Sequence, residues 1–514
     1  MVDRKWWTLT AVSVATFMLL LDITIVNIAL PDIQRSLHST FSDLQWVVDA
    51  YALTLAAVLL VSGSVADRIG RRLIFVIGLV VFSSASLLCG LAVNPLMLTA
   101  SRALQGIGGA MMFATSLALI AQAFRGPERA TAFGIIGAVI GAAVAVGPLL
   151  GGVLTDSLGW QSIFLVNVPI GVLAVAFTLR NVAESRDVSP GGIDWPGAIT
   201  FSGALALLVY ALIRGNNDGW TSPLILGFLI GAGASMVAFV TIESRRRHPM
   251  LDLSLFRKPA FVGASTTAFL IAASMFSMFL YISLYLQNVL GYSPLKAGLV
   301  YLPVTVLAFV VAPIAGKLSA RLAIRIFLGG GLALVGIALV LMGGRQLGDT
   351  WTGLLPGFLL AGIGIGMINP PLASAAVGVV EPARSGMASG INNTFRQVGF
   401  ATGIAYLGAL FQSSVQSKLG GLLAGTPAAA HTSQIAQGVA AGGSRQVLAA
   451  VPPQFRGTVS HAANQAFISS LNELFIVASV TAFVGAVLAA VLVRQRDFVV
   501  TSYEPDARPA PVAA

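Results

Sequence analysis

Three residues carry charge inside otherwise apolar sequence: Asp22 in "LLLDITIVNIALP" (Leu19–Pro31), Asp49 in "WVVDAYALTLA" (Trp46–Ala56) and Arg102 in "SRALQGIGGA" (Ser101–Ala110). Asp22 is the only ionisable side chain from Trp6 to Leu30. A charge at the centre of a spanning helix costs roughly 2.5–3.5 kcal/mol, so such residues are functional by default. A carboxyl group in a low-dielectric site can bind and release a proton near neutral pH and can attract a cation when ionised. Arg102 needs a partner at its depth, and Asp22 is the obvious one, directly or through water. Protonating Asp22 would break that pair, and unpairing a buried charge typically costs about 3–5 kcal/mol. Asp49 is expected nearer one membrane face, as a second proton site.

The elements that hold these residues follow from composition. The chain of 514 residues is 56% hydrophobic, with a mean hydropathy of +0.86. Only 10% of its residues are charged, against about 25% in an average soluble domain. This is an all-α polytopic membrane protein with the lipid bilayer as its solvent. The first apolar run is too long for a cleavable signal peptide. One cysteine, Cys89, excludes a disulfide framework, and His38, His248, His431 and His461 lack metal-ligand spacing. Gly316-Lys317 is followed by Leu318, so the Walker phosphate loop is not formed there. No cofactor is called for, and ion gradients are the expected energy source, with protons as the coupling ion. The net charge of +10 sits in short loops, which points to membrane orientation rather than nucleic acid.

Hydropathy predicts fourteen spans near 8–30, 44–64, 73–93, 98–122, 132–155, 161–180, 196–213, 223–242, 260–286, 297–316, 323–343, 353–377, 387–411 and 471–493. Twenty-one Lys and Arg fall on the side of the termini and seven on the other. By the positive-inside rule both termini are cytoplasmic and the protein sits in the cell membrane. "GSVADRIGRR" (Gly63–Arg72) aligns with "GKLSARLAIR" (Gly316–Arg325), sharing Gly63/Gly316, Arg68/Arg321 and Arg72/Arg325. The first copy follows the second span and the other follows the tenth. Two six-helix bundles in parallel repeat with an inserted helix pair would give that register. The expected organisation is a first bundle over 1–186 and an inserted pair over 187–250. Five helices of a second bundle follow over 251–411, then a long outer loop at 412–470, a last helix at 471–496 and a cytoplasmic tail at 497–514.

"GSVADRIGRR" closely resembles the loop signature between the second and third helices of the major facilitator superfamily. "LDITIVNIALP", "SRALQGIGGA" and "GPLLGG" (Gly147–Gly152) resemble signatures of its drug:proton antiporters. "YLQNVLGYSPLKAGL" (Tyr285–Leu299) and "SGINNTFRQVG" (Ser389–Gly399) resemble the branch with fourteen helices. The resemblance implies two bundles rocking around a midplane cavity. It also implies that Gly63, Asp67, Arg68, Gly70, Arg71 and Arg72 latch the bundles on the inner side. Their glycines allow a tight turn, and Asp67 can pair with arginines. In the second copy Ala320 replaces the acid, so the latch is one-sided. Gly141, Gly147, Pro148, Gly151 and Gly152 would seal and flex the bundle interface, since small residues four apart allow close approach and proline bends a helix.

For cargo contact, Tyr281, Tyr285 and Asn288 at i, i+4 and i+7 share one helical face. Met111, Met112 and Phe113 offer adaptable apolar surface, and Asn27 a polar contact. At Asp22 a proton and a cationic cargo would compete for one carboxylate, the simplest form of antiport. The last six spans hold no clear intramembrane carboxylate, which argues against a strong preference for divalent cations. Arg396 is expected to reach the cytoplasmic surface. No nucleophile–base or metal constellation calls for an enzyme. The reading is a monomeric, proton-coupled exporter of amphipathic, often cationic or aromatic small molecules such as drugs, antibiotics and dyes. The alternatives are an exporter of an endogenous lipid or secondary metabolite and a proton-coupled uptake transporter.

Overall fold

The computed structural model describes residues 4–124, 127–186, 194–246, 249, 251–319, 321–380, 385–426, 429, 431–440, 453–494 and 497. Among them the secondary structure is helical throughout, without a strand. The chain runs through α1 (Arg4–Leu37), α2 (Phe41–Ile69), α3 (Arg71–Gly90), α4 (Pro95–Ala123), α5 (Pro127–Leu158), α6 (Ser162–Leu165) and α7 (Asn167–Asn181). Next come α8 (Trp195–Asp218), α9 (Pro223–Arg245), α10 (Pro259–Ile271), α11 (Ser277–Leu284), α12 (Pro294–Val300), α13 (Leu302–Ser319) and α14 (Ile324–Met342). The last four are α15 (Leu355–Gly378), α16 (Ser385–Leu422), α17 (Thr432–Ala440) and α18 (Arg456–Leu492).

Local chemistry starts these helices repeatedly in one way. Asn94, Ser222 and Ser293 accept a hydrogen bond from a backbone N–H in the first turn, and each is followed by a proline at the first helical position. That proline lacks a donor where none is needed, and its φ is already helical. Thr40 opens α2 with a reciprocal capping box: its N–H donates to Asp43 at 2.8 Å and its Oγ1 accepts from the Asp43 N–H at 3.2 Å.

Twelve helices are long and apolar enough to cross a membrane, or thirteen if α2 counts as one span bent by 47° between Phe41–Leu59 and Val61–Ile69. The remaining expected span, 132–155, lies in α5, where only Val146–Leu158 qualifies among the described residues, as a shorter apolar helix. The fourteen-span count is therefore not reached. Two boundaries also move. The α16 helix continues past the expected end at 411 to Leu422, and α18 begins at Arg456 rather than near 471. Much of the expected 412–470 loop is thus helix. Lys418 and Ser414 hold Glu473 at 2.7 and 2.5 Å across these extensions, and α17 buries Ile435, Ala436, Val439 and Ala440 against them.

Within the first half, α2 and α3 pack on α4, and α1 packs on α5. Glycines set the distances: Gly106 and Gly108 on α4 press against the backbones of α2 and α3. In the second half α13 and α14 pack on α15, and α18 on α14. The α8–α9 pair leans on α2 and α16 through a core of Phe201, Leu205 and Phe239.

Candidate functional site

Asp22 and Arg102 meet inside the first half. Arg102 Nη1 donates to Asp22 Oδ2 at 2.5 Å, and both side chains are essentially without solvent exposure, at 1% and 0%. Gln105 Nε2 and Asn167 Nδ2 donate to Asp22 Oδ1 at 2.9 and 3.3 Å. Both amides also donate to Ser86 Oγ, and Arg102 Nη1 reaches Gln105 Oε1 at 2.8 Å. Arg102 Nε donates to the Val47 carbonyl at 3.1 Å, and the guanidinium lies 4.2 Å over the Tyr51 ring. One carboxylate thus ties together α1, α2, α3, α4 and α7. Both of its oxygens accept hydrogen bonds, one of them from a guanidinium, which is what makes a buried charge tolerable.

This placement differs from the expectation in one respect. Asp22 is enclosed by its own bundle and does not face the space between the two halves. That space lies on the adjacent faces of α1. A small apolar cavity there is lined by Thr24, Asn27, Pro148, Phe279, Tyr301 and Ile365, among others. Of the expected cargo residues, only Asn27 lines it. Met112 is buried in the first half, and Gly78 on α3 presses on Met111 and Met112. Phe113 packs against the same core.

Tyr281 and Tyr285 are fully buried, away from the cavity. Tyr281 donates to the Ile404 carbonyl at 2.9 Å and stacks against Phe41 and Phe411. The span expected as one regular helix contains two π-helical turns, Ala272–Phe276 and Tyr285–Val289. The second contains Tyr285 and Asn288, so their spacing departs from that of a regular α-helix.

Asp49 stands in contrast to Asp22. It is fully buried on α2 beside Tyr281, and neither carboxyl oxygen has a hydrogen-bond partner among the described residues.

The two ends of the molecule also differ. At the Pro31 end the halves are tied together. Ser283 Oγ donates to the Asn27 carbonyl at 2.8 Å and Gln287 Nε2 to the Ile28 carbonyl at 2.7 Å. Gln45 Nε2 donates to the Ile404 carbonyl at 3.2 Å. On α5, Gly147 and Gly151 press on Thr24 and Ile25 of α1. A Cβ on Gly152 would lie 2.7 Å from the Pro294 carbonyl, and Gly298 reciprocally presses on Pro148. Gly141 falls outside the residues whose packing is described.

At the other end, Gly63 through Ile69 are helix, so the expected tight turn shrinks to Gly70 alone, at φ +138°. Arg71 Nε pairs with Asp67 at 2.8 Å, and its Nη1 donates to Gln122. The N–H groups of Arg72 and Leu73 donate to Glu184 at 3.0 and 3.1 Å. Glu184 thus caps the start of α3, an anion at a helix N-terminus. The sequence reading missed it, and an acid 112 residues away carries no local signal. Among the described residues, the side-chain partners of this loop belong to the first half. Arg68 makes no hydrogen bond or ion pair among the described residues.

Comparison with known proteins decides what holds this geometry. Residues 12–404 match the sequence profile of the Major Facilitator Superfamily. The chain belongs to that superfamily. It is 37% identical over 413 residues to the multidrug resistance protein Stp of Mycobacterium tuberculosis, covering 80% of this chain and 77% of the relative. It is 33% identical over 499 residues to the tetracenomycin C resistance and export protein of Streptomyces glaucescens, covering 95% and 91%. A crystal structure of a bacterial homologue of the human lysosomal transporter Spinster shares its fold, with a TM-score of 0.63 at 16% identity, over 98% of this chain and 100% of that one. The superfamily member described here is a multi-pass membrane transporter and not an enzyme.

Proposed function

We propose that this transporter exports amphipathic, aromatic small molecules from the cell in exchange for protons. The drug and antibiotic exporters among its relatives support the cargo class and direction. The observation that carries the coupling is the buried Asp22–Arg102 pair, whose carboxylate accepts from Arg102, Gln105 and Asn167. Protonating Asp22 would place a hydroxyl donor against Arg102, Gln105 and Asn167, which are themselves donors, and the pair would come apart. Unpairing costs about 3–5 kcal/mol, enough to bias a two-state protein. Proton binding therefore acts on the helix arrangement, and cargo binds elsewhere, in the space between the halves.

Asp49 is the second proton site. A carboxylate with no partner in a dry interior is far costlier than a neutral acid, so Asp49 carries its proton in this arrangement. Its neighbour Tyr281 belongs to the seal at the Pro31 end, and opening that end would wet Asp49 and release the proton. In this reading the Pro31 end is the outer side, both termini are cytoplasmic, and the membrane is the cell membrane. α5 is the fourteenth span. The 1–186 and 251–496 segments form two six-helix bundles around the inserted 187–250 pair. The 63–72 loop is the inner latch, disengaged here, with Arg68 available to the second bundle when the cavity opens outward.

The test is flux in vesicles of known orientation. Imposing an inward proton gradient should drive an aromatic dye outward against its gradient, with protons moving the opposite way. Dye and protons moving together would establish uptake instead and overturn this reading. A second reading is export of a secondary metabolite, which the Streptomyces relative named for tetracenomycin C resistance and export would fit.

A further inference from the structure

The second half contains one intramembrane cation that none of the foregoing uses. Arg396 lies eleven residues into α16, about 16 Å along the helix from its start at 1.5 Å per residue. Measured from Gly390, where the apolar span opens, it lies six residues in, about 9 Å. Its Nη2 donates to Asn369 Oδ1 on α15 at 2.8 Å, and its Nε has no partner. No carboxylate pairs with it among the described residues. Of the described acids of this half, Asp252, Asp349 and Asp497 lie outside the long helices, and Glu473, inside α18, is held by Lys418 and Ser414. Arg396 is half-buried rather than sealed, and Asn369 lies one helical turn beyond Ile365, a residue of the inter-half cavity. A guanidinium has five donors in a planar fork, and here one is used.

We propose that Arg396 is the cargo's counter-ion and that the transported class bears an anionic group, a carboxylate or an ionised phenol, on an aromatic body. The apolar cavity with Phe279 and Tyr301 takes the rings, and the acidic end reaches one turn further to the guanidinium. The expectation of a cationic cargo loses its basis here, because Asp22 is enclosed and Asp49 lies in the seal, leaving no described acid on the cavity wall. This inference rests on the export reading.

The experiment uses three probes with one ring system: pyrene-1-carboxylate, its methyl ester and pyrenemethylammonium. Binding to the purified full-length protein and export from proteoliposomes are both measured. Arg396→Gln should weaken carboxylate binding about tenfold to a hundredfold, the range for a charge-assisted hydrogen bond. Ester binding should stay unchanged, showing that the variant is folded, and Arg396→Lys should restore part of the loss by keeping the charge without the fork. An equal loss for all three probes, or no change in charge preference, would overturn this inference and leave export standing. Failure of the wild type to export any of the three would instead count against the export reading on which it rests.

Discussion

The two halves of the molecule handle buried charge in opposite ways. The first half encloses Asp22 and Arg102 as a direct ion pair, supported by hydrogen bonds from Gln105 and Asn167. Among the described residues, the second half gives Arg396 one amide and no acid. A charge with its counter-ion in place serves the protein's own conformation, and a charge without one beside a cavity is available to something that enters. In the proposed reading, coupling and the recognition of cargo would therefore be separated in space.

The largest effect that could break this contrast comes from Arg102→Ala. It strands a buried carboxylate and should lower stability by about 3–5 kcal/mol in thermal unfolding of the detergent-solubilised protein. Adding Asp22→Asn should recover part of that loss. Arg396→Gln removes one hydrogen bond and should cost only about 0.5–1.5 kcal/mol. Equal costs for the two arginines would erase the distinction.

Next in size is Gly152→Val. Its side chain meets the Pro294 backbone and should cost about 1–3 kcal/mol through overpacking. The loss should be specific to the arrangement closed at the Pro31 end, so cross-linking of cysteine pairs across that end should fall. Glu184→Gln loses the charge and leaves one acceptor oxygen where the start of α3 uses two, and should cost about 1 kcal/mol. Smallest is Asp49→Asn. It replaces one neutral polar group by another, so unfolding should shift by no more than about 0.5 kcal/mol while proton movement during export falls. A large destabilisation there would mean that Asp49 is charged in this arrangement.

What could be read in advance follows the same division. Asp22, Arg102 and their pairing are legible because ions in apolar sequence are few and each needs a partner. Ser86, Gln105 and Asn167 are not, since an uncharged polar residue in a spanning helix has no periodic signal of its role. The face shared by Tyr281, Tyr285 and Asn288 assumed a regular helix, and the π-helical turn that changes their spacing leaves no mark in the sequence. Hydropathy placed the lipid-crossing parts of α16 and α18 but could not see them continue into water, where helix no longer requires apolar residues. The cavity itself arises only where α1, α5 and α13 pack together, through contacts as specific as Gly152 on Pro294.

The central claim is that Asp22 alternates between an ion pair with Arg102 and a protonated acid as the transporter turns over. Infrared difference spectroscopy of the protonated-carboxyl stretch, recorded on cargo addition and assigned with Asp22→Asn and Asp49→Asn, tests it directly. The account predicts a band that changes in the wild type and loses one component in each variant. A spectrum in which Asp22→Asn removes nothing, with coupled export intact, would contradict it.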